Sequence, residues 1–345
     1  MNGFDGREDG GEDGREDSRD NGGMIGIGIG IGIVGTSTIS ERLAEAVAEV
    51  EGIEVSRVAS RDPRRAREFA DAVGAPGTAV GLDDLLAAAD VDAVYLASPN
   101  ALHAEQVRTA VDAGIPVLVE KPAVLTAADW DAAVAHARSR GVVLLEAMRT
   151  AYDPGLAAVR DALPRLGNLR RVSLRYEKRS ARYDHVLAGE QTNIFDPALG
   201  GSALRDLGVY PLHALVRLLG APRSIHGVRV GIASGTDGLG SALAAYDGFV
   251  ADVAWSKITD TALPSELQGE TASLSIDAID APRRLTITPR DAAPQVIDVA
   301  APANPMVAEV ERFRDAVLGA DVSADQDLTA LTLRLVDDLL RVPLT

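Results

Sequence analysis

Between residues 25 and 148, six short runs rich in valine, isoleucine and leucine alternate with stretches whose apolar residues recur every three to four positions. A run of a few β-branched residues reads as a buried strand, and a stretch with one apolar stripe reads as a helix. Strands are expected over 31–34, 53–59, 78–80, 93–98, 116–120 and 142–146. Helices are expected over 40–51, from Asp62-Pro63 onward, and over 82–89, 101–113 and 127–140. In the first helix, residues 39, 43, 47 and 50 make one apolar face. Asp62 before Pro63 is a helix start, the carboxylate capping and the proline pre-setting the first turn. Alternation of this kind puts helices on both faces of a parallel sheet, a doubly wound α/β fold.

The pattern changes after Asp153. A helix over 154–163 precedes a segment, 170–177, in which Val172, Leu174 and Tyr176 alternate with polar residues. That is an antiparallel strand with one wet face. A helical stretch over 202–219 follows, then strand segments near 225–232, 241–256, 266–277 and 284–299, and a helix pair over 306–318 and 328–341. Strands grouped after one helical block imply an α+β unit on a large open, mostly antiparallel sheet. A chain of 345 residues has room for about two domains. The expected division is an acidic glycine-rich tail over 1–23, a dinucleotide-binding domain over 24–148, and a substrate-binding and oligomerisation domain over 149–345.

The tail holds eight acids, three arginines and seven glycines, and cannot bury enough surface to order. It lacks the positive start and apolar core of a secretion signal, and the apolar stretch over 24–35 is too short to span a bilayer. A cytoplasmic protein is expected. The chain has 34 basic against 51 acidic residues, a net charge of −17, which argues against nucleic-acid or anionic-membrane partners. With no cysteine, disulfides, thiolate zinc sites and cysteine nucleophiles are excluded. The five histidines have no ligand spacing, and no metal is expected.

The first strand runs into Gly32-Ile33-Val34-Gly35-Thr36-Ser37-Thr38-Ile39-Ser40, and a helix follows at once. In a dinucleotide-binding turn, glycines permit a tight bend and bring backbone amides against a pyrophosphate at the helix N-terminus. Here Gly35 alone keeps the G-x-G-x-x-G core, with Ser37 and Ser40 in the later glycine positions. The same residues also fit a plain turn with Ser37 capping the helix. The cofactor reading assigns Gly35, Thr36, Ser37, Thr38 and Ile39 to the phosphates. The second strand ends in Ala59-Ser60-Arg61, without the acid that bonds an NAD ribose. Ser60 and Arg61 suit a 2′-phosphate, so NADP(H) is favoured over NAD(H), unless Arg61 is a solvated loop residue.

Three further segments carry a resemblance. They are Ala93-Val94-Tyr95-Leu96-Ala97-Ser98-Pro99-Asn100 with His103 beyond it, Val117-Leu118-Val119-Glu120-Lys121-Pro122, and Gly200-Gly201-Ser202-Ala203-Leu204-Arg205-Asp206-Leu207-Gly208-Val209-Tyr210-Pro211. Read singly, Lys121 is a surface lysine at a strand end, Asp206 a structural acceptor and Tyr210 a half-buried core tyrosine. Together the segments resemble the Gfo/Idh/MocA oxidoreductase family. The resemblance implies hydride transfer between a nicotinamide cofactor and a sugar, cyclic polyol or related carbonyl compound.

It also implies roles for single residues. Lys121 is the catalytic lysine beside the nicotinamide, and Tyr210 the proton-transfer residue with Asp206 near it. Ser98, Pro99, Asn100, His103 and Glu120 lie on the cofactor side, Glu120 as an orienting residue. Arg149 and Arg182 face the cleft and bind substrate. The open sheet pairs subunits into a homodimer or homotetramer. Desolvation is expected to lower the pKa of Lys121. An ordinary helix would put Asp206 and Tyr210 on one face, although Pro211 cannot donate to the carbonyl of residue 207. The alternatives are a dinucleotide-sensing regulatory protein of the same fold, and a glycoside-processing relative with retained NAD. Arg61, and tyrosine rather than histidine at position 210, disfavour the latter.

Overall fold

The computed structural model describes residues 28–345; the acidic tail lies outside the described residues. Its first sheet contains β1 (Ile29–Val34), β2 (Ile53–Ser60), β3 (Gly77–Val80), β4 (Ala93–Leu96), β5 (Val117–Glu120) and β6 (Leu144–Ala147). All pairs are parallel, in the order β3-β2-β1-β4-β5-β6. That order reverses between β1 and β4, the switch point where doubly wound sheets leave a crevice at the carboxyl ends of their strands. The intervening helices are α1 (Thr38–Ala48), α2 (Pro63–Val73), α3 (Gly81–Leu86), α4 (His103–Asp112) and α5 (Ala127–Arg140). Successive strand residues point to opposite faces, and both faces are covered. Ile31, Ile33, Tyr95 and Leu118 pack with Leu43 and Val47 of α1. Val94, Leu96, Val117 and Val119 pack with Leu85, Val107 and Trp130 on the other side. Asp62 accepts the Arg64 amide at 2.9 Å and caps α2, as its place before Pro63 predicts.

Two helices, α6 (Arg149–Tyr152) and α7 (Pro154–Ala162), lead into the second sheet. Its first strand is β7 (Leu169–Glu177), followed by α8 (Tyr183–Leu187), a π-turn over Leu204–Gly208 and α9 (Val209–Leu219). The remaining strands are β8 (Ser224–Gly231), β9 (Asp237–Ala245), β10 (Val250–Ser256), β11 (Ser265–Gly269), β12 (Ala272–Ile276), β13 (Arg284–Pro289) and β14 (Gln295–Asp298). They run β14-β13-β12-β11-β7-β10-β9-β8, antiparallel throughout except where β7 meets β10. One face packs on helices, with Leu212 and Leu215 against Val172, Leu174 and Val253. The other face leaves Val228 and Leu243 more than half exposed, at 53% and 54%.

Three expected strands are each hairpins. The segment 241–256 turns at Asp247-Gly248, where Gly248 takes φ +83°. The segments 266–277 and 284–299 turn at 270–271 and 290–294. In the first of the three the aspartate–glycine pair was the readable break. The expected helix 202–219 also divides, into the π-turn and α9. The last helices are α10 (Val307–Val317) and α11 (Ser323–Leu340). The latter begins five residues before the expected 328, because its polar first turn has no periodicity; Asp321 starts it by accepting the Ser323 amide at 3.1 Å.

Both helices return to the first sheet. Val310 and Phe313 join the α1 core, and Leu333 joins the opposite one. Trp130 Nε1 donates to the Gln326 carbonyl, whose own side-chain amide donates to the Leu144 carbonyl, each at 3.0 Å. The carboxyl-terminal helices thereby tie the two sheets together. Among the described residues no helix is long and apolar enough to cross a membrane.

Candidate active site

The site gathers at the carboxyl ends of β1, β4 and β5. Gly35, directly after β1, has φ +110°, and a Cβ there would stand 2.7 Å from the Ala97 carbonyl oxygen. Only glycine lets the β1–α1 turn lie so close to β4. Ser37 sits at the N-cap of α1 but makes no capping bond with its side chain, so the first-turn amides keep no side-chain partner. Ser37 and Thr38 are exposed, Thr36 and Ile39 half-buried. The capping alternative for Ser37 therefore fails, and the turn has the open amides and close backbone that a pyrophosphate requires.

At the end of β2, Ser60 Oγ accepts the Asp62 amide at 3.2 Å. Arg61 is exposed and joins no ion pair among the described residues. Asp62 uses one carboxylate oxygen as the cap of α2. Beyond β4, Ser98 Oγ donates to Gln106 at 2.5 Å and Asn100 donates to the Gly200 carbonyl at 3.3 Å. Pro99 lies between them. His103 is fully buried, with one ring nitrogen 2.9 Å from the Ser98 carbonyl and the other 3.1 Å from the Pro122 carbonyl, of which a neutral ring donates to one. It straps the β4 loop to the β5 loop, and burial lowers its pKa.

Glu120 closes β5. Its carboxylate accepts the Tyr95 hydroxyl at 2.5 Å and the Lys121 amide at 3.1 Å, an arrangement that fixes the lysine backbone. Burial raises the Glu120 pKa against the pull of Lys121 and Tyr95. Lys121 Nζ crosses to the π-turn, donating to Asp206 Oδ1 at 2.7 Å and to the Asp206 carbonyl at 2.8 Å. At π spacing the amide five residues on would answer that carbonyl, but that residue is Pro211, which has no N–H. The turn settles on β10 because Gly208 is small: a Cβ would stand 2.8 Å from Leu204 Cδ1 and 3.0 Å from Trp255 Cγ.

Tyr210 is buried in the first turn of α9, its ring centre 5.0 Å from Lys121 Nζ. The π-turn, not an ordinary helical face, brings Asp206 and Tyr210 to the same lysine. Arg149 Nε donates to the Tyr210 hydroxyl at 3.3 Å, and its other end pairs with Asp280 at 2.7 Å. Tyr176 meets the Tyr210 ring edge-on at 5.3 Å. Arg149 thus has protein partners rather than a free guanidinium. Arg182 is exposed before α8 and joins no ion pair among the described residues.

The expected fall in the Lys121 pKa is corrected. Burial pushes it down, but the Asp206 carboxylate, with Tyr210 and Glu120 behind it, carries it above the ordinary lysine value. Asp206 is held well below the usual carboxylate range: burial opposes this, and the ammonium groups of Lys121 and Lys257 outweigh burial. Lys257 was not singled out from the sequence. It follows β10, is 1% exposed, and reaches Asp206 Oδ2 at 2.5 Å. A lysine one residue past an apolar strand has no distinguishing pattern. Tyr176 and Asp280 were equally silent, one reading as ordinary strand alternation and the other as a loop acid.

An uncapped helix start at the switch point, and a lysine–aspartate–tyrosine group joining β5 to the π-turn and α9, are the arrangement expected of a nicotinamide-dependent oxidoreductase whose second half is built on an open sheet. The chain belongs to the Gfo/Idh/MocA family: residues 29–148 match the model for the oxidoreductase family's NAD-binding Rossmann fold, and residues 160–275 match the Gfo/Idh/MocA C-terminal domain. It is 37% identical over 280 residues to the scyllo-inositol 2-dehydrogenase (NADP(+)) IolU of Bacillus subtilis, covering 81% of this chain and 85% of that one. It is 31% identical over 194 residues to D-xylose 1-dehydrogenase (NADP(+)) 2 of Haloferax volcanii, covering 56% and 58%. The crystal structure of KijD10, a 3-ketoreductase from Actinomadura kijaniata in complex with NADP and TDP-benzene, superposes with a TM-score of 0.82 at 26% identity, covering 91% of this chain and 97% of that one.

Proposed function

We propose that the protein transfers a hydride between NADP(H) and a sugar, cyclic polyol or related carbonyl compound. The observation that carries this reading is the convergence of Lys121, Asp206 and Tyr210 beside the β1/β4 crevice. The amides of Thr36, Ser37, Thr38 and Ile39 hold the pyrophosphate, with Gly35 making room. Ser60 and Arg61 hold the 2′-phosphate, and Ser98, Pro99, Asn100 and the His103 strap wall the nicotinamide side. Preference for NADP(H) is supported by the free Arg61 guanidinium and by the NADP in the relatives' names and in the KijD10 complex.

The bound nicotinamide supplies or takes the hydride at the substrate carbon. In the reducing direction the Lys121 ammonium donates a hydrogen bond to the substrate carbonyl oxygen. Tyr210 gives that oxygen its hydroxyl proton, and the Arg149 guanidinium, already bonded to the tyrosine oxygen, stabilises the phenolate left behind. In the oxidising direction the phenolate takes the proton from the substrate hydroxyl. Asp206 keeps Lys121 charged and aimed.

A cavity of about 410 Å³ opens beside the Tyr210 ring partner, lined by the polar Arg175, Glu177 and Asp277 as well as the apolar Leu263, Pro264 and Ile279, and has room for a sugar-sized substrate. Arg182 is assigned to the substrate side. We place the domain division at 148/149, with α10 and α11 folded back onto the first domain. The apolar open face around Val228 and Leu243 pairs with a second copy into a homodimer or homotetramer, and the protein acts in the cytoplasm on small molecules.

A panel of inositols, aldoses and keto sugars, assayed with NADPH/NADP and NADH/NAD, tests the reading. Turnover of at least one polyol or sugar with NADP(H) is expected. Tight NADPH binding with no turnover on any member would favour the dinucleotide-sensing alternative.

A further inference from the structure

Lys121 is not the only ammonium on Asp206. Lys257 Nζ stands 2.5 Å from Asp206 Oδ2 while Lys121 Nζ stands 2.7 Å from Oδ1. We propose that Lys257 is a positioning residue of this site: it grips Oδ2, turns Oδ1 and the Asp206 carbonyl toward Lys121, and divides one carboxylate between two ammonium groups. The proposal rests on the reading of Lys121 as the substrate-facing lysine.

The surroundings of Lys257 leave it little other use. Its side chain is 2% exposed, so it cannot meet substrate or solvent. Its remaining neighbours are the Ile194 carbonyl at 3.4 Å and the Phe195 ring, whose centre is 4.6 Å from Nζ. The charged groups facing it are Asp206 from the π-turn, Lys121 from the end of β5 and Arg182 from the start of α8. Only Asp206 among these is an anion. A buried ammonium is costly, and a lysine used merely to fill space would be better replaced by an apolar residue. Burial and the like charges of Lys121 and Arg182 push the Lys257 pKa down, against Asp206, which pulls it up.

Two cations on one anion have a consequence for Lys121. While Lys257 is present, the Asp206 carboxylate is partly spent on it, and Lys121 remains a better hydrogen-bond donor than a lysine with the carboxylate to itself. Without Lys257 the carboxylate is free to rotate and belongs to Lys121 alone. Lys121 then holds its proton more tightly and is aimed less well.

The experiment follows the lysine pair through Lys257. The full chain carrying ¹³C/¹⁵N-lysine is titrated by NMR without cofactor or substrate, alongside Lys257→Met, Lys257→Arg and Lys121→Met, the methionine variants assigning the signals. Lys121 is held above the range in which the folded protein can be titrated, so the midpoint followed is that of Lys257, which burial and the Lys121 charge push down. In Lys121→Met, where the like charge is gone and the carboxylate belongs to Lys257 alone, that midpoint is expected to rise. Lys257→Arg, which keeps the charge on Asp206, should keep most of the turnover. With the best substrate found, Lys257→Met should lower kcat by about 10- to 100-fold and leave KM within about twofold. A Lys257 midpoint that does not respond to the loss of Lys121 overturns the proposal. The titration needs no turnover, so a shifted midpoint in a protein that reduces no substrate would sink the catalytic reading and leave the lysine pair standing.

Discussion

One ammonium, that of Lys121, makes two bonds to one residue, Asp206: 2.7 Å to the carboxylate and 2.8 Å to the backbone carbonyl. The first needs only an acid of suitable length. The second draws on a backbone carbonyl of the π-turn, one that cannot be answered at π spacing because residue 211 is proline. A side chain at the carboxyl end of β5 is thus held by the backbone of the π-turn that leads into α9.

The roles assigned to Lys121 and Tyr210 predict loss of turnover from either change. Lys121→Met and Tyr210→Phe should each lower kcat by about 10²- to 10⁴-fold. The double variant should lose little more than the worse single one, because groups acting on one proton lose most of their value together. Tyr210→Phe should leave NADPH affinity nearly unchanged. Steady-state kinetics with cofactor binding by fluorescence checks both, and full turnover in either variant would refute the assignment.

Cofactor preference should rest on Arg61. A charge-assisted bond to a phosphate is worth about 1.5–3 kcal/mol, so NADPH should bind on the order of 10- to 100-fold more tightly than NADH. Arg61→Ala should remove most of that difference and leave NADH binding in place. Equal dissociation constants for the two cofactors in the unaltered protein would contradict the prediction.

Legibility followed the physics that each feature depends on. The parallel sheet was readable because its strands are buried on both faces and its helices carry one apolar stripe, patterns that local sequence records. The β1 turn was readable from Gly35, since a positive φ and a close carbonyl allow nothing larger. Asp247-Gly248 was readable in principle but lay between two apolar runs, Ala242–Tyr246 and Phe249–Ala251, that together read as one strand. The lysine pair on Asp206 was not readable, because Lys121 and Lys257 are 136 positions apart and meet only through tertiary packing. The same holds for the direction of the Lys121 pKa. Burial could be anticipated from a strand end, whereas the carboxylate that overrides it comes from the other sheet.

The seat of the π-turn can be tested at Gly208. A methyl group there would approach Leu204 Cδ1 to 2.8 Å and Trp255 Cγ to 3.0 Å, and Trp255 is itself pinned by its Nε1 bond to Asp237 at 3.2 Å. Overpacking of this kind costs about 1–3 kcal/mol. Gly208→Ala should lower the denaturation midpoint accordingly and also reduce kcat, since Asp206 sits two residues away. Unchanged stability and turnover would mean that the turn adjusts freely and does not set the position of Asp206.

Glu309 makes a prediction about pH. It lies on α10, is fully buried, and neither carboxylate oxygen has a hydrogen-bond partner. Burial, with the nearby acids Glu120 and Glu146, raises its pKa well above the usual carboxylate value; only Arg149 opposes them. In the unfolded chain the group titrates near its ordinary value of about 4.3. Above that pH the unfolded chain has released a proton that the folded chain still holds. Folding stability contributed by this group therefore falls as pH rises from about 4.3 toward the folded pKa, at about 1.4 kcal/mol per pH unit. Glu309→Gln removes the titration while keeping the shape. Relative to the unaltered protein, the glutamine variant should gain stability as pH rises above about 4.5 and level off once the folded carboxyl ionises, measured by urea unfolding at several pH values. A stability difference that does not vary with pH would show that Glu309 is ionised in the folded protein and contradict the prediction.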